Sequence, residues 1–199
     1  MTYQINQFIM PLANAFSGEA NIIFYYAGHG IPDETTKTAY LLPKDGDVRN
    51  LKSAYKLDDL YKVLGDSRFK SVTVFLDACF SGIRPSENDK GDGYLASRDA
   101  GIAVEVDGGT PLGNTVVFSA ARGNEFAYPY PDKEHGLFTY FLLKKLQETK
   151  GDVALGDLGK YITTQVLQTC IKIKVPSQTP TINPSYNLKE EIWKNMKLK

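Results

Sequence analysis

Two residues that could act together as a nucleophile and a base each stand at the end of an apolar run. Cys79 lies near the end of VTVFLDACFSG (72–82), and His29 near the end of IIFYYAGHG (22–30). A cysteine thiolate is a strong nucleophile, and an imidazole within reach can accept the thiol proton. The two residue types therefore predict hydrolysis or acyl transfer through a thiol, provided that the fold brings the two runs together.

The glycines beside these residues suit the same chemistry. Gly28 and Gly30 flank His29 and allow the backbone to turn sharply. The backbone N–H groups of Gly30 and Cys79 are predicted to form an oxyanion hole. Taken singly, a cysteine at a strand end is most often a small buried hydrophobe, and a lone histidine is most often a loop residue. Their pairing, with glycines beside each, favours catalysis over that simpler interpretation.

The elements that must position this pair are apolar strands. Residues 22–26, 72–76 and 116–119 form uninterrupted runs, which predict strands covered on both faces in a parallel sheet. Functional groups in such sheets collect at the carboxyl ends of the strands. Helices are expected over 2–16, 57–65, 136–151 and 155–173 and from Leu188 onward, with 176–187 as a loop or extended edge. The order predicts one α/β domain over 1–199, with the long loops 83–115 and 121–136 as walls of a cleft.

Composition argues against several classes of partner. The chain has 23 basic and 23 acidic residues, so no charged surface for nucleic acid or anionic lipid is indicated. Cys79 and Cys170 are the two cysteines, which indicates neither a disulfide framework nor a zinc site, and Cys170 reads as a core residue. No run approaches the length of a membrane span. We expect a soluble, cytoplasmic protein without a nucleic acid or membrane partner.

The combination of YYAGHG with FLDACFSG resembles the His and Cys motifs of caspase-like cysteine peptidases, of the metacaspase and bacterial caspase-like (orthocaspase) type. AYLLPKD (39–45), FSAA (118–121) and HGLFTYFLLKKL (135–146) extend the resemblance over about residues 20–182. It implies a three-layer sandwich and a cysteine endopeptidase in which His29 is the base and Cys79 forms the thioester. It also implies that the strand with Ser119 and Ala120 binds the backbone of a protein or peptide substrate.

The resemblance further implies a preference for substrates. Asp77 matches the acidic residue that lines the S1 pocket of metacaspases, which implies cleavage after Arg or Lys. The simpler interpretation is a strand-end carboxylate satisfied by backbone groups or by a helix N-terminus. Asp58 and Asp59 match an acidic pair that takes part in calcium binding in some metacaspases, although two carboxylates make a poor calcium cage. First-turn helix acids are the favoured interpretation of this pair, and no cofactor is expected to be required.

The same resemblance implies two further features, proteolytic processing of a loop and an incomplete central sheet. The 83–115 loop lies where caspase-like zymogens are cut, and Arg84, Lys90 and Arg98 are candidate self-cleavage sites, as against ordinary basic residues of a flexible loop. The family's first strands have no counterpart before residue 22, so we expect an exposed sheet edge. Another chain or a missing segment would complete it. The alternative functions are an inactive caspase-like binding or regulatory module, and a different thiol hydrolase or acyltransferase.

Overall fold

A mostly parallel four-stranded sheet forms the centre of the protein. The computed structural model describes residues 2–16, 18–33, 35–65, 68–80, 109–123 and 125–199. The strands lie in the order β1 (Asn21–Ala27), β5 (Ser71–Asp77), β6 (Thr115–Ser119) and β9 (Thr181–Pro184). β1, β5 and β6 are parallel, and β9 runs antiparallel to β6. The predicted α/β architecture is confirmed.

Helices cover both faces of this sheet and give three layers. Their bounds are α1 (Thr2–Phe16), α2 (Leu57–Leu64), α3 (Leu137–Thr149), α4 (Leu155–Ile173) and α5 (Glu190–Asn195). One core cluster joins α1 and α2 to Val72, Val74 and Leu76 of β5, and the other joins α3 and α4 to Phe75 and Phe118. Because side chains alternate along a strand, β5 supplies apolar groups to both clusters. None of the described helices combines the length and hydropathy that crossing a bilayer requires.

Two small antiparallel sheets stand beside the central one, and neither was predicted. The first comprises β2 (His29–Pro32), β3 (Ala39–Leu42) and β4 (Tyr55–Lys56), and the second comprises β7 (Pro129–Tyr130) and β8 (His135–Gly136). These strands have two to four residues. Segments so short contain too few alternations to give a strand signal in the sequence.

The prediction of coverage on both faces holds for β5 and is wrong for β1. Five consecutive residues of β5 are buried, whereas alternate residues of β1 are exposed, among them Ile23 at 53% and Tyr25 at 46%. β1 is the edge of the sheet in the described part of the chain, with β5 as its neighbour. An edge strand is covered by fewer elements than a central one, and the expected exposed edge is present.

Candidate active site

The register between β1 and β5 brings the two sequence motifs to the same end of the sheet. Tyr26 lies beside Leu76 and Ala27 beside Asp77, in parallel alignment. The N–H of Gly28 then donates a hydrogen bond to the carbonyl oxygen of Asp77 at 3.1 Å. The chain consequently leaves both strands at one edge, two residues before His29 on one side and two residues before Cys79 on the other.

Gly30 brings residues 28–30, here called the histidine turn, into direct contact with Cys79. A Cβ atom built on Gly30 would lie 2.6 Å from the carbonyl oxygen of Cys79 and closer still to the ring of Phe80. Both approaches are shorter than van der Waals contact, so only glycine fits at this position. Phe80 was not identified from the sequence, where it reads as one more apolar residue after the strand. The contact places the residue after His29 against the peptide group of Cys79.

Tyr26 holds the backbone of the histidine turn and was also not identified from the sequence. Its hydroxyl lies 2.8 Å from the carbonyl oxygen of His29 and 2.7 Å from that of Leu42, so its proton is shared between two acceptors. Burial raises the pKa of Tyr26 to about 12, which keeps the hydroxyl protonated at neutral pH. A Cβ atom on Gly28 would lie 2.8 Å from this hydroxyl, which explains the first glycine of the motif.

The thiol of Cys79 is partly buried and is bonded to a distant loop. The backbone N–H of Ala127 donates to Sγ at 2.8 Å, and the carbonyl oxygen of Ala127 lies 3.8 Å from the sulfur. Burial raises the pKa of the thiol and the nearby Asp77 carboxylate raises it further, while the hydrogen bond from Ala127 lowers it. The net shift is upward, so the thiol is neutral at physiological pH in this arrangement.

The imidazole of His29 lies on the exposed side of the same site. His29 begins β2, pairs with Leu42 of β3, and is exposed to solvent. Within the described residues it donates no hydrogen bond to Cys79 and accepts none from it. The structure therefore brings the two residues to one edge of the sheet without a hydrogen bond between them. Catalytic hydrogen bonds often form only when substrate binds, so this geometry is compatible with the predicted roles of His29 and Cys79.

Asp77 lies deeper in the site, at the N-terminus of α3. The hydroxyl of Thr139 donates to Asp77 Oδ2 at 2.5 Å, and the Tyr25 hydroxyl lies 2.7 Å from the same Thr139 oxygen. Burial raises the pKa of Asp77, while the Thr139 hydroxyl and N–H and the charge of His135 act to lower it. This carboxylate is satisfied at a helix N-terminus, as in the simpler interpretation given above. Its part in substrate selection stays a prediction.

The end of β6, which was predicted to bind the substrate backbone, forms hydrogen bonds with neighbouring segments. Ser119 pairs with Leu76 on one side and with Thr181 of β9 on the other. The N–H of Ala120 donates to the carbonyl oxygen of Leu76 at 2.8 Å. The carbonyl oxygen of Ala120 accepts from Gln178 Nε2 at 2.9 Å. Substrate binding by Ser119 and Ala120 stays a prediction, and it would have to use groups other than the Ala120 N–H.

Each of the two candidate metal ligands forms an ion pair with a lysine. Asp58 forms an ion pair with Lys56 at 3.2 Å, and Asp59 forms one with Lys62 at 3.3 Å. Over the described residues, no three His, Cys, Asp or Glu side chains are grouped as a metal site would require. Two carboxylates, each beside a lysine, do not fit a calcium cage, which takes six to eight oxygen ligands. Calcium binding remains a prediction.

The remaining sequence predictions divide by where they fall in the chain. The candidate cleavage residues Arg84, Lys90 and Arg98 lie outside the described residues. Cys170 is 1% exposed within the second core cluster, which confirms its prediction as a core residue. The 121–136 loop was predicted to wall a cleft, and its Ala127 does contact Cys79.

Comparison with known proteins shows which family and which solved structures the chain is similar to. The caspase domain family, Peptidase_C14, matches residues 2–190. The fold resembles that of protein GSU0716 from Geobacter sulfurreducens, with a TM-score of 0.63, 18% identity, and coverage of 96% of this chain and 76% of that one. It also resembles caspase-1 from Spodoptera frugiperda, with a TM-score of 0.58, 18% identity, and coverage of 92% and 68%. No curated protein sequence matches the chain.

Proposed function

The chain belongs to the caspase domain family of cysteine peptidases, and on that premise we propose that it is an endopeptidase cleaving after Arg or Lys through Cys79 and His29. The observation that carries this proposal is the contact of Gly30 with the Cys79 carbonyl, which holds the histidine turn against the nucleophile. A catalytic pair separated in sequence needs such a contact, because reaction requires the two side chains to meet within a few ångströms.

The proposed reaction starts from the neutral thiol. As sulfur attacks the substrate carbonyl carbon, His29 accepts the thiol proton, and the carbonyl oxygen becomes an oxyanion that receives hydrogen bonds from the N–H groups of Gly30 and Cys79. The C–N bond then breaks, the leaving amine takes the proton from His29, and a thioester remains. Water attacks the thioester with His29 again acting as base, which releases the carboxylic acid and restores the thiol.

Asp77 is the proposed selector for a basic P1 side chain. It is two residues from the nucleophile, is largely buried, and uses Oδ2 for Thr139. A Lys or Arg cation would offset the cost of keeping this carboxylate charged in a buried place. We expect Asp77→Asn to lower kcat/KM for Arg and Lys reporters at least tenfold while reporters with an uncharged P1 residue change little. An equal loss for all reporters would instead assign Asp77 to the support of α3.

The test of the whole proposal is a panel of fluorogenic peptides that differ at P1, run with added calcium and with chelator. We expect Arg and Lys reporters to be cleaved by the wild type and by Cys170→Ala, the matched control for the second cysteine, and not by Cys79→Ala. Cleavage that persists in Cys79→Ala overturns the proposal. A folded wild type that consumes no amide or ester is the inactive module, and one that consumes activated esters alone is a different thiol acyltransferase or hydrolase.

Self-cleavage of the 83–115 loop is proposed from the same selectivity. A peptidase that cuts after basic residues could cut its own chain after Arg84, Lys90 or Arg98. Mass spectrometry of the purified protein should then find fragments ending at one or more of these residues. Intact wild-type protein under conditions where the Lys and Arg reporters are cleaved would remove this part of the proposal. Cys79→Ala should stay whole.

A further inference from the structure

Gln178 is a fully buried polar side chain whose amide joins two parts of the site. It is 0% exposed. Its Nε2 donates to the carbonyl oxygen of Ala120 at the end of β6 at 2.9 Å, and its Oε1 accepts from the N–H of Tyr128 at 2.8 Å. Leaving a buried amide unpaired is costly, so both bonds fix where it lies. Gln178 therefore ties Tyr128 to the central sheet.

The next residue strengthens the same attachment. The N–H and the hydroxyl of Thr179 both donate to the carboxylate of Glu125, at 2.6 and 2.9 Å. Residues 125–130, here called the 125–130 segment, are thus held by three hydrogen bonds to two consecutive residues. The segment is also joined to α3, because the N–H of Leu137 donates to the carbonyl oxygen of Tyr128 at 2.9 Å.

The fixed segment delivers one group to the nucleophile. Ala127 directly precedes Tyr128, and its N–H is the donor that reaches Cys79 Sγ at 2.8 Å. We infer that Gln178 is a positioning residue for the nucleophile, since it holds the backbone N–H of Ala127 against the Cys79 sulfur. Thr179 acts in the same direction through Glu125. The contacts stand apart from any activity, while their value for catalysis rests on the proposed function.

The consequence is a thiol whose acidity depends on a distant glutamine. An N–H donor stabilises a thiolate more than a thiol, and the hydrogen bond from Ala127 accordingly lowers the pKa of Cys79 against the effect of burial. The charge that acts on the thiol is that of Asp77, the last residue of β5. The elements that meet at the site also carry His29 at the start of β2, Glu125 on the segment, and His135, whose charge acts on Asp77. Gln178→Met and Thr179→Val leave all four titratable groups in place.

The experiment measures the rate of Cys79 alkylation by iodoacetamide from pH 6 to 11, read for each cysteine by peptide mass spectrometry. Gln178→Met keeps the side-chain length and removes both hydrogen bonds, and Thr179→Val removes one bond to Glu125. Gln168→Met, at an exposed position of α4, is the matched control. Buried Cys170 reports unfolding in each sample, because it should react only when the core opens.

We expect Gln178→Met to move the midpoint of the Cys79 alkylation rate to higher pH by about 0.5 to 1 pH unit. At a given pH below the midpoint, the alkylation rate as a fraction of its plateau then falls about three- to tenfold. Thr179→Val should move it less in the same direction, and Gln168→Met not at all. Unchanged midpoints in folded Gln178→Met and Thr179→Val overturn the inference, and Thr179→Val decides alone if Cys170 shows that Gln178→Met is unfolded. A shift without peptide cleavage would support this inference while the proposed peptidase fails. Cleavage without a shift would do the reverse.

Discussion

β1 and β5 lie side by side in parallel alignment, yet they support His29 and Cys79 very differently. β5 is central, has buried residues on both faces, and leads directly to Cys79. β1 is an edge strand with one face partly exposed, and His29 follows it only after a glycine turn. Cys79, the proposed nucleophile, is therefore positioned by the core of the protein. His29, the proposed base, is positioned by a few specific contacts, chiefly those of Tyr26 and Gly30.

This difference predicts that the position of His29 depends on single residues, whereas the position of Cys79 depends on general packing. Substitutions near His29 should therefore change activity more than stability, and substitutions in β5 should change stability first.

Loss of the imidazole of His29, the proposed base, should have the largest effect on activity. We expect His29→Ala to lower kcat for a Lys or Arg reporter about 10²- to 10⁴-fold, since a positioned general base contributes that much. His135→Ala is the matched control for the second histidine and should lose far less. The measurement is steady-state cleavage by each purified variant. Equal losses in the two variants would remove His29 from the role of base.

Truncating a side chain in β5 should lower the free energy of unfolding more than truncating one in β1. Leu76 of β5 is 1% exposed, and Leu76→Ala should cost about 2–5 kcal/mol. Ile23 of β1 is 53% exposed, and Ile23→Ala should cost under about 1 kcal/mol. Equilibrium denaturation in urea measures both. A cost for Ile23 that matches the cost for Leu76 would show that the exposed face of β1 is covered in solution.

The contact between the two strand ends can be broken at Gly30. The added methyl group of Gly30→Ala must displace Cys79 or Phe80, which should cost about 1–3 kcal/mol of stability and lower kcat/KM at least tenfold. Gly156→Ala in α4 is the control, because its methyl group would lie 3.0 to 3.1 Å from Cβ, Cγ and the carbonyl oxygen of Lys194 in α5. It should cost stability and leave kcat/KM unchanged. Full activity in Gly30→Ala would contradict the close approach that carries the proposed function.

The hydroxyl of Tyr26 should have a smaller effect. Tyr26→Phe removes a proton shared between the carbonyl oxygens of His29 and Leu42, and should cost about 0.5–1.5 kcal/mol in the free energy of unfolding. We expect kcat to fall several-fold with KM little changed, because the histidine turn loosens. Exposed Tyr186→Phe is the control and should match the wild type. A wild-type kcat in Tyr26→Phe would mean that Gly30 alone holds the turn.

The pH dependence of Asp77 should be the smallest effect. Burial raises the pKa of Asp77 above its ordinary value of 3.8, so the folded state binds this proton more tightly than the unfolded state. The resulting stabilisation is complete below the unfolded pKa and is lost as pH rises through the folded pKa. The unfolding free energy of the wild type minus that of Asp77→Asn should therefore decrease with rising pH from about 3.8 upward. An increase would mean that the hydrogen bonds from Thr139 outweigh burial.

Strong local patterns explain which elements could be predicted. α4 spans Leu155–Ile173, the range expected from the sequence, and β5 has the two-sided burial expected of an unbroken apolar run. The same reasoning was wrong for β1, because an apolar run does not reveal whether its strand will be central or at an edge. The small sheets around His29 and His135 were not predicted, since their pairing depends on which chain segments lie nearby.

The sequence by itself determined the chemical groups of the site: a thiol and an imidazole after apolar strands, with glycines where side chains cannot fit. These follow from residue type and local pattern. The tertiary structure alone decided what surrounds those groups, because contacts such as Tyr26 with Leu42, Thr139 with Asp77 and Ala127 with Cys79 join separate elements. Burial and hydrogen bonding set the acidity of a thiol, and both depend on chain segments that meet only when the protein has folded.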